Sequence, residues 1–253
     1  MTWRRLRRKG IPSLGEKELL RYRAVQDIAR RTVQSLGIFI REGMSENFIA
    51  REAQRLMLDE GVTRFWYHDV PALVLVGERT PLSISGKDYV PADIKVKRED
   101  LVTVDVSPEI DGYWGDYARS FVVLDGKVVD PSKMGQMGGR ENNHLIRGIR
   151  VEGELHERLL ETARPEMTFH ELYGVMTSMI EERGFLNLDF KHNLGHSIER
   201  KLEDRLYIKE GNQRMLGEVA LFTFEPHICP HYCEGGFKRE DIYYFKRKRL
   251  EIL

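Results

Sequence analysis

An internal repeat is the feature of this 253-residue sequence that most restricts its fold. Residues 41–62 and 164–185 align without a gap at a constant offset of 123 positions. The aligned pairs include Met44 with Met167, Ser45 with Thr168 and Gly61 with Gly184. A repeat near half the chain length predicts two similar halves and argues against a solenoid built from short units.

Each repeated segment has the pattern of an amphipathic helix. Ser45 and Thr168 are suitable N-cap residues, and Glu171 completes a capping-box pattern with Thr168. Each segment ends at a glycine, which is favoured at helix C-termini. Longer helical patterns precede the two segments, at about 16–40 and 141–163.

Strand-forming sequence follows each pair of helices. The segments are LVTVDVSP and YWGDYARSFVVL in the first half, and VALFTFEPHI and DIYYFKRKRLEIL in the second. They are rich in β-branched and aromatic residues and are bounded by turn residues. This order predicts an α+β fold in one domain over 1–253, with pseudo-symmetric halves at about 16–130 and 141–250. A basic N-terminal arm at 1–15 and a joint at 131–143 complete the expected layout.

Composition limits the class of partner. The 40 basic and 40 acidic side chains cancel, so the net charge gives no reason to expect nucleic acid. No apolar stretch approaches the roughly 18 residues of a membrane-spanning helix, so no membrane partner is expected. With only Cys229 and Cys233 and no signal-peptide pattern, the sequence predicts a cytoplasmic protein.

Two aspartates flank the turn of the first predicted hairpin. Asp105 interrupts the apolar strand LVTVDVS, where a charged residue is rarely buried without a partner. Asp116 follows the turn signal Asp111-Gly112. With the midpoint placed between Ile110 and Asp111, Asp105 and Asp116 are expected to be direct neighbours across two antiparallel strands.

The second half repeats this arrangement with Glu225 and Glu240, whose midpoint falls between Tyr232 and Cys233. A carboxylate in a strand can also be a solvated edge residue, but that coincidence would have to occur in both hairpins. Four ionised carboxylates at one site would repel one another and take up protons. Two divalent cations would balance them, and oxygen and imidazole ligands suit Mn, Fe, Co or Zn.

The segment HICPHYC at 227–233 allows a separate metal interpretation. His227, Cys229, His231 and Cys233 alternate, so they would share one face of a strand and could bind zinc. The spacing is not that of a usual zinc finger, and a proline within the segment would disturb a regular strand. The favoured interpretation is therefore a loop beside the carboxylate site, with the zinc site as the alternative.

Four segments around these residues resemble those of the pita-bread metallohydrolases, which include methionine aminopeptidase, aminopeptidase P, prolidase and creatinase. VDVSPEIDGYWGDYARSF is similar to the strand segment with two liganding aspartates, and KHNLGHSIER to the His-Gly-x-Gly-His segment. FTFEPHI resembles the segment that ends in Ile-Glu-Pro, and GGFKREDIYYF resembles Gly-x-Arg-x-Glu-Asp. The likeness covers roughly 16–250. It implies the pita-bread (creatinase/aminopeptidase) fold, with two α-β halves around a curved antiparallel sheet.

The resemblance also implies a dinuclear metal centre with five protein ligands, Asp105, Asp116, His196, Glu225 and Glu240. Asp105 would chelate one ion, His196 and Glu225 would hold the other, and Asp116 and Glu240 would bridge both. Glu225 would in addition act as general base for the bridging water that the ions activate. His192 matches the first histidine of the His-Gly-x-Gly-His segment and would either lie on the substrate side or support a metal ligand from behind.

The chain departs from the resembled pattern at two other histidines. The family histidine ahead of the first aspartate is missing from segment 76–86, where Leu82, Ser83 or Ile84 stands near its place. His68 could replace it as a catalytic group or could be a structural histidine. The family histidine seven residues after the histidine ligand is Glu203 here. The loss of one such hydrogen-bond donor can slow a reaction roughly a hundredfold.

The implied function is a dinuclear-metal-dependent hydrolase that uses a metal-bridging hydroxide to cleave a peptide-like C–N bond, as Xaa-Pro and methionyl aminopeptidases do. The missing histidines leave two alternatives open. One is a related metal-dependent enzyme that acts on a non-peptide small molecule, as creatinase does, and the other is a non-catalytic binding module. The expected partner is a small peptide or peptide-like substrate, and the chain could form a homodimer.

Overall fold

The computed structural model describes residues 14–129 and 143–253. The predicted basic arm (1–15) and the predicted joint (131–143) lie outside these ranges, except for their last residues. Within the described ranges, none of the helices combines the length and the apolar character needed to cross a membrane. The cytoplasmic location and the homodimer stay predictions.

Helices precede strands in both halves, as the sequence predicts. The first half contains α1 (Glu16–Phe39), α2 (Glu46–Asp59), β1 (Arg64–Phe65), β2 (Ala72–Val76), β3 (Asp100–Val106), β4 (Pro108–Ile110), β5 (Tyr113–Trp114), β6 (Tyr117–Leu124) and β7 (Lys127–Val128). The second half contains α3 (His144–Thr162), α4 (Phe169–Glu182), β8 (Phe185–Asn187), β9 (Phe222–Phe224), β10 (His227–Pro230), β11 (Phe237–Lys238), β12 (Asp241–Lys246) and β13 (Arg249–Ile252).

The repeated helices are confirmed together with their caps. The Ser45 hydroxyl caps α2, and Thr168 with Glu171 forms the complete capping box of α4. Gly61 and Gly184, which follow these helices, have φ angles of +87° and +75°. Residues with a Cβ adopt such angles only with strain, so glycine ends both helices for the same reason.

Each half packs its two helices on its strands to form a core. Leu36 of α1 and Val104 of β3 belong to the core of the first half. Leu155 of α3 and Phe222 of β9 belong to that of the second half. Among the described residues the paired strands form a four-stranded sheet in the order β2-β3-β6-β7 and three three-stranded sheets, β13-β12-β9, β11-β10-β8 and β1-β4-β5. The pairs are antiparallel.

The first hairpin does not have the predicted register. Asp105 pairs with Ala118 and not with Asp116. Asp111 and Gly112 form the turn with φ angles of +53° and +75°, so its midpoint lies one residue later than expected. The pairing therefore shifts by two residues, and Asp116 lies just before β6.

The second hairpin has the predicted register. Asp241 pairs with Phe224 on one side of the carboxylates, and Lys238 pairs with His227 on the other. Both pairs have the same register. Glu225 and Glu240, which lie between them, are therefore opposite each other.

The two halves meet where β6 passes the start of β12. Glu240 N donates a hydrogen bond to Ala118 O at 3.0 Å, and the two residues form an antiparallel bridge. The Arg119 guanidinium donates to Glu240 O and to Asp241 Oδ1, both at 2.7 Å. These contacts bring the two carboxylate-bearing hairpins side by side.

Candidate metal centre

A cavity at this junction brings together all five residues predicted as ligands. Its walls include Asp105, Asp116, His196, Glu225 and Glu240. Asp116, His196 and Glu240 are buried, whereas the side chains of Asp105 and Glu225 keep 16% and 18% of their surface exposed. Asp116 therefore lines the cavity as predicted, although the register predicted for the first hairpin was wrong.

Asp116 is positioned by a side chain of the first helix. Asp116 N donates to Gln26 Oε1 at 2.8 Å, and Gln26 Nε2 donates to Asp116 O at 2.7 Å. Both residues are buried. Because Asp116 lies outside the strands, these two bonds replace the ladder pairing that would otherwise satisfy its backbone.

His196 is fixed against β9. His196 N donates to Thr223 Oγ1 at 3.1 Å, and Thr223 N donates to His196 O at 2.7 Å. The preceding residue, Gly195, has a φ angle of +146°, and a Cβ on it would lie 2.2 Å from Thr223 O. Only glycine allows the backbone to approach β9 this closely.

The tautomer of His196 directs a lone pair into the cavity. His196 Nδ1 lies 2.9 Å from Ser197 O, and a carbonyl only accepts, so Nδ1 carries the hydrogen. Nε2 then faces Asp116 Oδ2 at 3.4 Å and Glu225 Oε1 at 3.6 Å. Burial lowers the pKa of His196 to about 4, so the ring is neutral at pH 7. A lone pair that faces two carboxylate oxygens is stable only with a proton or a cation between them.

Three oxygen atoms of the neighbouring carboxylates lack a hydrogen-bond partner among the described residues. Asp116 Oδ2 and both carboxylate oxygens of Glu240 are buried and unpartnered in the part of the chain that the structure describes. One ligand atom from each of Asp116, His196 and Glu240 lies within 4.8 Å of the others. Burial, together with repulsion from nearby carboxylates, raises the pKa values of Asp116 and Glu240 well above their ordinary range. Two carboxylates and an imidazole nitrogen therefore fit a divalent cation, which would relieve this cost.

Lys238 is a member of the centre that the sequence analysis missed. Its Nζ lies 2.5 Å from Asp105 Oδ2 and 3.1 Å from Glu225 Oε2. Side chains two residues apart in extended backbone point to the same side, so the spacing between Lys238 and Glu240 was the available signal. That signal requires knowing which way Glu240 points, which the sequence alone does not give.

The charges in this part of the cavity support one another. Burial alone would lower the pKa of Lys238, but the carboxylates of Asp105 and Glu225 outweigh burial and raise it well above the ordinary value. Burial alone would raise the pKa of Glu225, but Lys238 and His196 outweigh burial and lower it. Lys238 is therefore an ammonium ion and Glu225 a carboxylate at neutral pH.

Neither His68 nor His192, the two histidines predicted as catalytic groups, lies on the cavity wall. Both are exposed, with φ angles of +58° and +53°. Asp189 Oδ1 accepts hydrogen bonds from Lys191 N and Asn193 N, and this tight turn leaves His192 exposed. Asn193 is buried and lines the cavity in its place. The catalytic roles of His68 and His192 stay predictions.

The segment that lacks the expected histidine does face the cavity. Leu82, Ser83 and Ile84 all line it. Glu203, which stands at the position of the second missing histidine, is exposed and is not part of the wall. The cation Arg205, two residues later, lines the cavity instead.

The alternative zinc site in HICPHYC is wrong. Cys229 and Cys233 form a disulfide. His227 lines the cavity, where its Nε2 donates to Thr80 O at 2.8 Å, and His231 is exposed. The four side chains do not converge. The first four residues of the segment form β10, so it begins as a strand and not as a loop.

Comparison with known proteins agrees with this geometry. The sequence profile of Metallopeptidase family M24 matches residues 21–247. A putative Xaa-Pro aminopeptidase of Mycoplasma pneumoniae is 26% identical over 239 residues, which cover 94% of this chain and 60% of that protein. An Xaa-Pro dipeptidase of Pyrococcus furiosus is 26% identical over 216 residues, which cover 85% of this chain and 55% of that protein.

The solved X-Pro aminopeptidase of Thermotoga maritima superposes with a TM-score of 0.74 at 25% identity, over 95% of this chain and 61% of that one. The chain thus spans between 55% and 61% of the length of these three proteins. The superposition confirms the predicted pita-bread fold. With the profile match over most of its length, the chain belongs to metallopeptidase family M24.

Proposed function

We propose that the chain is a metal-dependent hydrolase that cleaves a peptide-like C–N bond in Xaa-Pro substrates. The observation that carries this proposal is the convergence of Asp116, His196 and Glu240, with unpartnered buried oxygens and an imidazole lone pair directed at one place. A divalent ion held there would supply a positive charge that polarises a substrate carbonyl and makes water more acidic. The dinuclear centre and the bridging hydroxide expected from the resemblance remain predictions.

Glu225 is the residue to which we assign proton transfer. It lies on the cavity wall, its carboxylate is ionised because Lys238 and His196 lower its pKa, and its Oε1 is 3.6 Å from His196 Nε2. A carboxylate in this position can accept a proton from attacking water and deliver it to the leaving amine. Asp116, His196 and Glu240 would hold the ion beside it.

The cavity wall suits a compact apolar ring flanked by charges. Trp66, Tyr67 and Tyr207 supply aromatic surface. The Arg205 guanidinium lies 5.5 Å from the ring centre of Trp66 and 5.4 Å from that of Tyr207. The wall thus combines aromatic surface with charged side chains, and small-molecule sites use such fixed polar groups to orient a ligand. This wall and the Xaa-Pro names of the relatives support a proline-containing substrate.

Peptide hydrolysis by the full chain tests the proposal. The protein is stripped of metal with a chelator, reloaded with Mn²⁺ or Co²⁺, and incubated with Ala-Pro, Met-Ala and Ala-Ala. We expect Ala-Pro to be hydrolysed, and only after the metal is reloaded. Asp116→Asn should lower the rate of this hydrolysis by at least about a hundredfold. Exposed Asp204→Asn is the matched control.

A folded, metal-saturated protein that cleaves none of these peptides would contradict the proposal and favour a non-peptide substrate. A protein that binds no metal at all would instead favour the binding-module alternative. The structure gives that alternative no support, because all five predicted ligand residues line one cavity.

A further inference from the structure

The centre already contains a cation of its own, the Lys238 ammonium. Lys238 Nζ donates to Asp105 Oδ2 at 2.5 Å and lies 3.1 Å from Glu225 Oε2. The first contact is a hydrogen bond between charged groups, and the second is an ion pair. One nitrogen thus joins a carboxylate of the first half to a carboxylate of the second.

The five predicted ligands therefore divide into two groups. Asp116 and Glu240 have buried oxygens without hydrogen-bond partners in the described part of the chain, and they lie beside the His196 lone pair. Asp105 and Glu225, in contrast, share the Lys238 ammonium, which offsets one of their two negative charges. The first group needs a cation, whereas the second has one.

The backbone of Lys238 is held in place beside these carboxylates. Lys238 N donates to Ser120 Oγ at 2.7 Å, and Ser120 Oγ donates to Lys238 O at 3.1 Å. Lys238 also pairs with His227 across β10 and β11. Its side chain is only 20% exposed. The second ion that the resemblance implies, chelated by Asp105, would have to displace the ammonium from Asp105 or lie in contact with a like charge.

We propose that this centre takes one divalent ion, held by Asp116, His196 and Glu240, and that the Lys238 ammonium, bound to Asp105, takes the place of the second ion that Asp105 would chelate. The proposal rests on the metal site of the proposed function, but it concerns only the number of ions. It replaces the two ions that the sequence resemblance implies with one ion and one protein cation.

Metal stoichiometry tests this proposal without reference to activity. The metal-free full chain is equilibrated with excess Mn²⁺, freed of unbound ion, and analysed by mass spectrometry of the metal and by electron paramagnetic resonance. We expect one ion per chain in the wild type, with the spectrum of an isolated Mn²⁺. In Lys238→Met, which keeps the length of the side chain but removes the charge, we expect two ions with a spin-coupled spectrum.

Lys191→Met is the matched control, because Lys191 also lines the cavity but its Nζ lies over the rings of Phe190 and Tyr207. It should keep one ion. Circular dichroism checks folding, and Lys238→Gln replaces Lys238→Met if the latter does not fold. Two ions in the wild type, or one ion in a folded Lys238 variant, would overturn the proposal and leave the metal-dependent hydrolase intact. No ion in the wild type would overturn both.

Discussion

Single side chains that do not line the cavity decide how its ligands are positioned. Gln26 on α1 holds the backbone of Asp116 by two hydrogen bonds, although Asp116 follows it by 90 residues. Such supporting groups orient metal ligands and commonly matter almost as much as the ligands themselves. At the residue scale, the site therefore extends into a helix that contributes no ligand.

We expect Gln26→Ala to weaken Mn²⁺ binding by roughly tenfold to a hundredfold, because Asp116 loses its fixed position. The same change should lower the free energy of unfolding by about 1–3 kcal/mol, since two buried backbone groups lose their partners. Isothermal titration and urea unfolding measure the two effects. Gln34→Ala, on an exposed position of α1, should match the wild type in both. Wild-type Mn²⁺ affinity in Gln26→Ala would show that the adjoining strand β6 positions Asp116 without Gln26.

His156 is a second buried residue that supports the site, because it contacts the residue that precedes Glu240. Its Nδ1 lies 2.6 Å from Tyr243 Oη, and its Nε2 lies 3.2 Å from Arg239 O. Burial lowers the pKa of His156 to about 3. An unfolded histidine binds a proton near pH 6.5, so the unfolded chain takes up this proton before the folded chain does.

The stability supplied by neutral His156 is therefore complete above about pH 6.5 and decreases as the pH falls towards about 3. We expect His156→Gln to reduce the slope of this acid destabilisation between roughly pH 6.5 and 4.5. Urea unfolding at a series of pH values measures the slope, with exposed His231→Gln as the control. An unchanged slope in His156→Gln would mean that other groups cause the acid destabilisation.

At the scale of elements, the two halves start their second helices in the same way but with different strength. The Ser45 hydroxyl caps α2 by one hydrogen bond. Thr168 and Glu171 cap α4 reciprocally, with Thr168 N donating to Glu171 Oε2 at 2.7 Å and Glu171 N donating to Thr168 Oγ1 at 3.0 Å. Each cap satisfies amide groups that the helix itself leaves free.

Thr168→Ala should lower the free energy of unfolding by about 1 kcal/mol, the usual cost of a lost N-cap. Ser45→Ala should cost a similar amount or less, because its cap is not reciprocal. Thermal or urea unfolding of the metal-free protein measures both. Ser178→Ala, on an exposed position within α4, is the control and should differ little from the wild type. A larger loss in Ser45→Ala than in Thr168→Ala would contradict the reciprocal-cap argument.

The elements also show where prediction from the sequence succeeds and where it ends. Caps and helix-ending glycines are local signals, so the repeat around Ser45 and Thr168 was predictable. The register of the first hairpin depends on which two residues form the turn. A turn at Asp111-Gly112, in place of Ile110-Asp111, shifts the cross-strand partner of every residue by two positions. Whether the side chains of Lys238 and His192 face the cavity depends on how distant segments of the chain pack together, which no local sequence pattern predicts.

At the scale of the whole molecule, the centre joins the two halves. Asp116 comes from the first half, and His196 and Glu240 come from the second. The same junction contains the Ala118–Glu240 bridge and the Arg119 contacts. An ion held by ligands of both halves is therefore a further link between halves that already share apolar packing, as Leu101 and Val122 of the first half do with the core of the second.

Binding of Mn²⁺ should stabilise both halves together. At a free Mn²⁺ concentration about a hundredfold above Kd, linkage predicts a gain of about 2.7 kcal/mol in the free energy of unfolding. Because the ligands span the junction, hydrogen exchange should slow in β6 of the first half and in β9 and β12 of the second. His196→Ala should lose both effects, whereas His170→Ala, at the N-terminal end of α4 and outside the cavity lining, should keep them. An ion shared by both halves must restrain the strands on each side of the junction. If Mn²⁺ slowed hydrogen exchange in only one half, the ion would be held by that half alone.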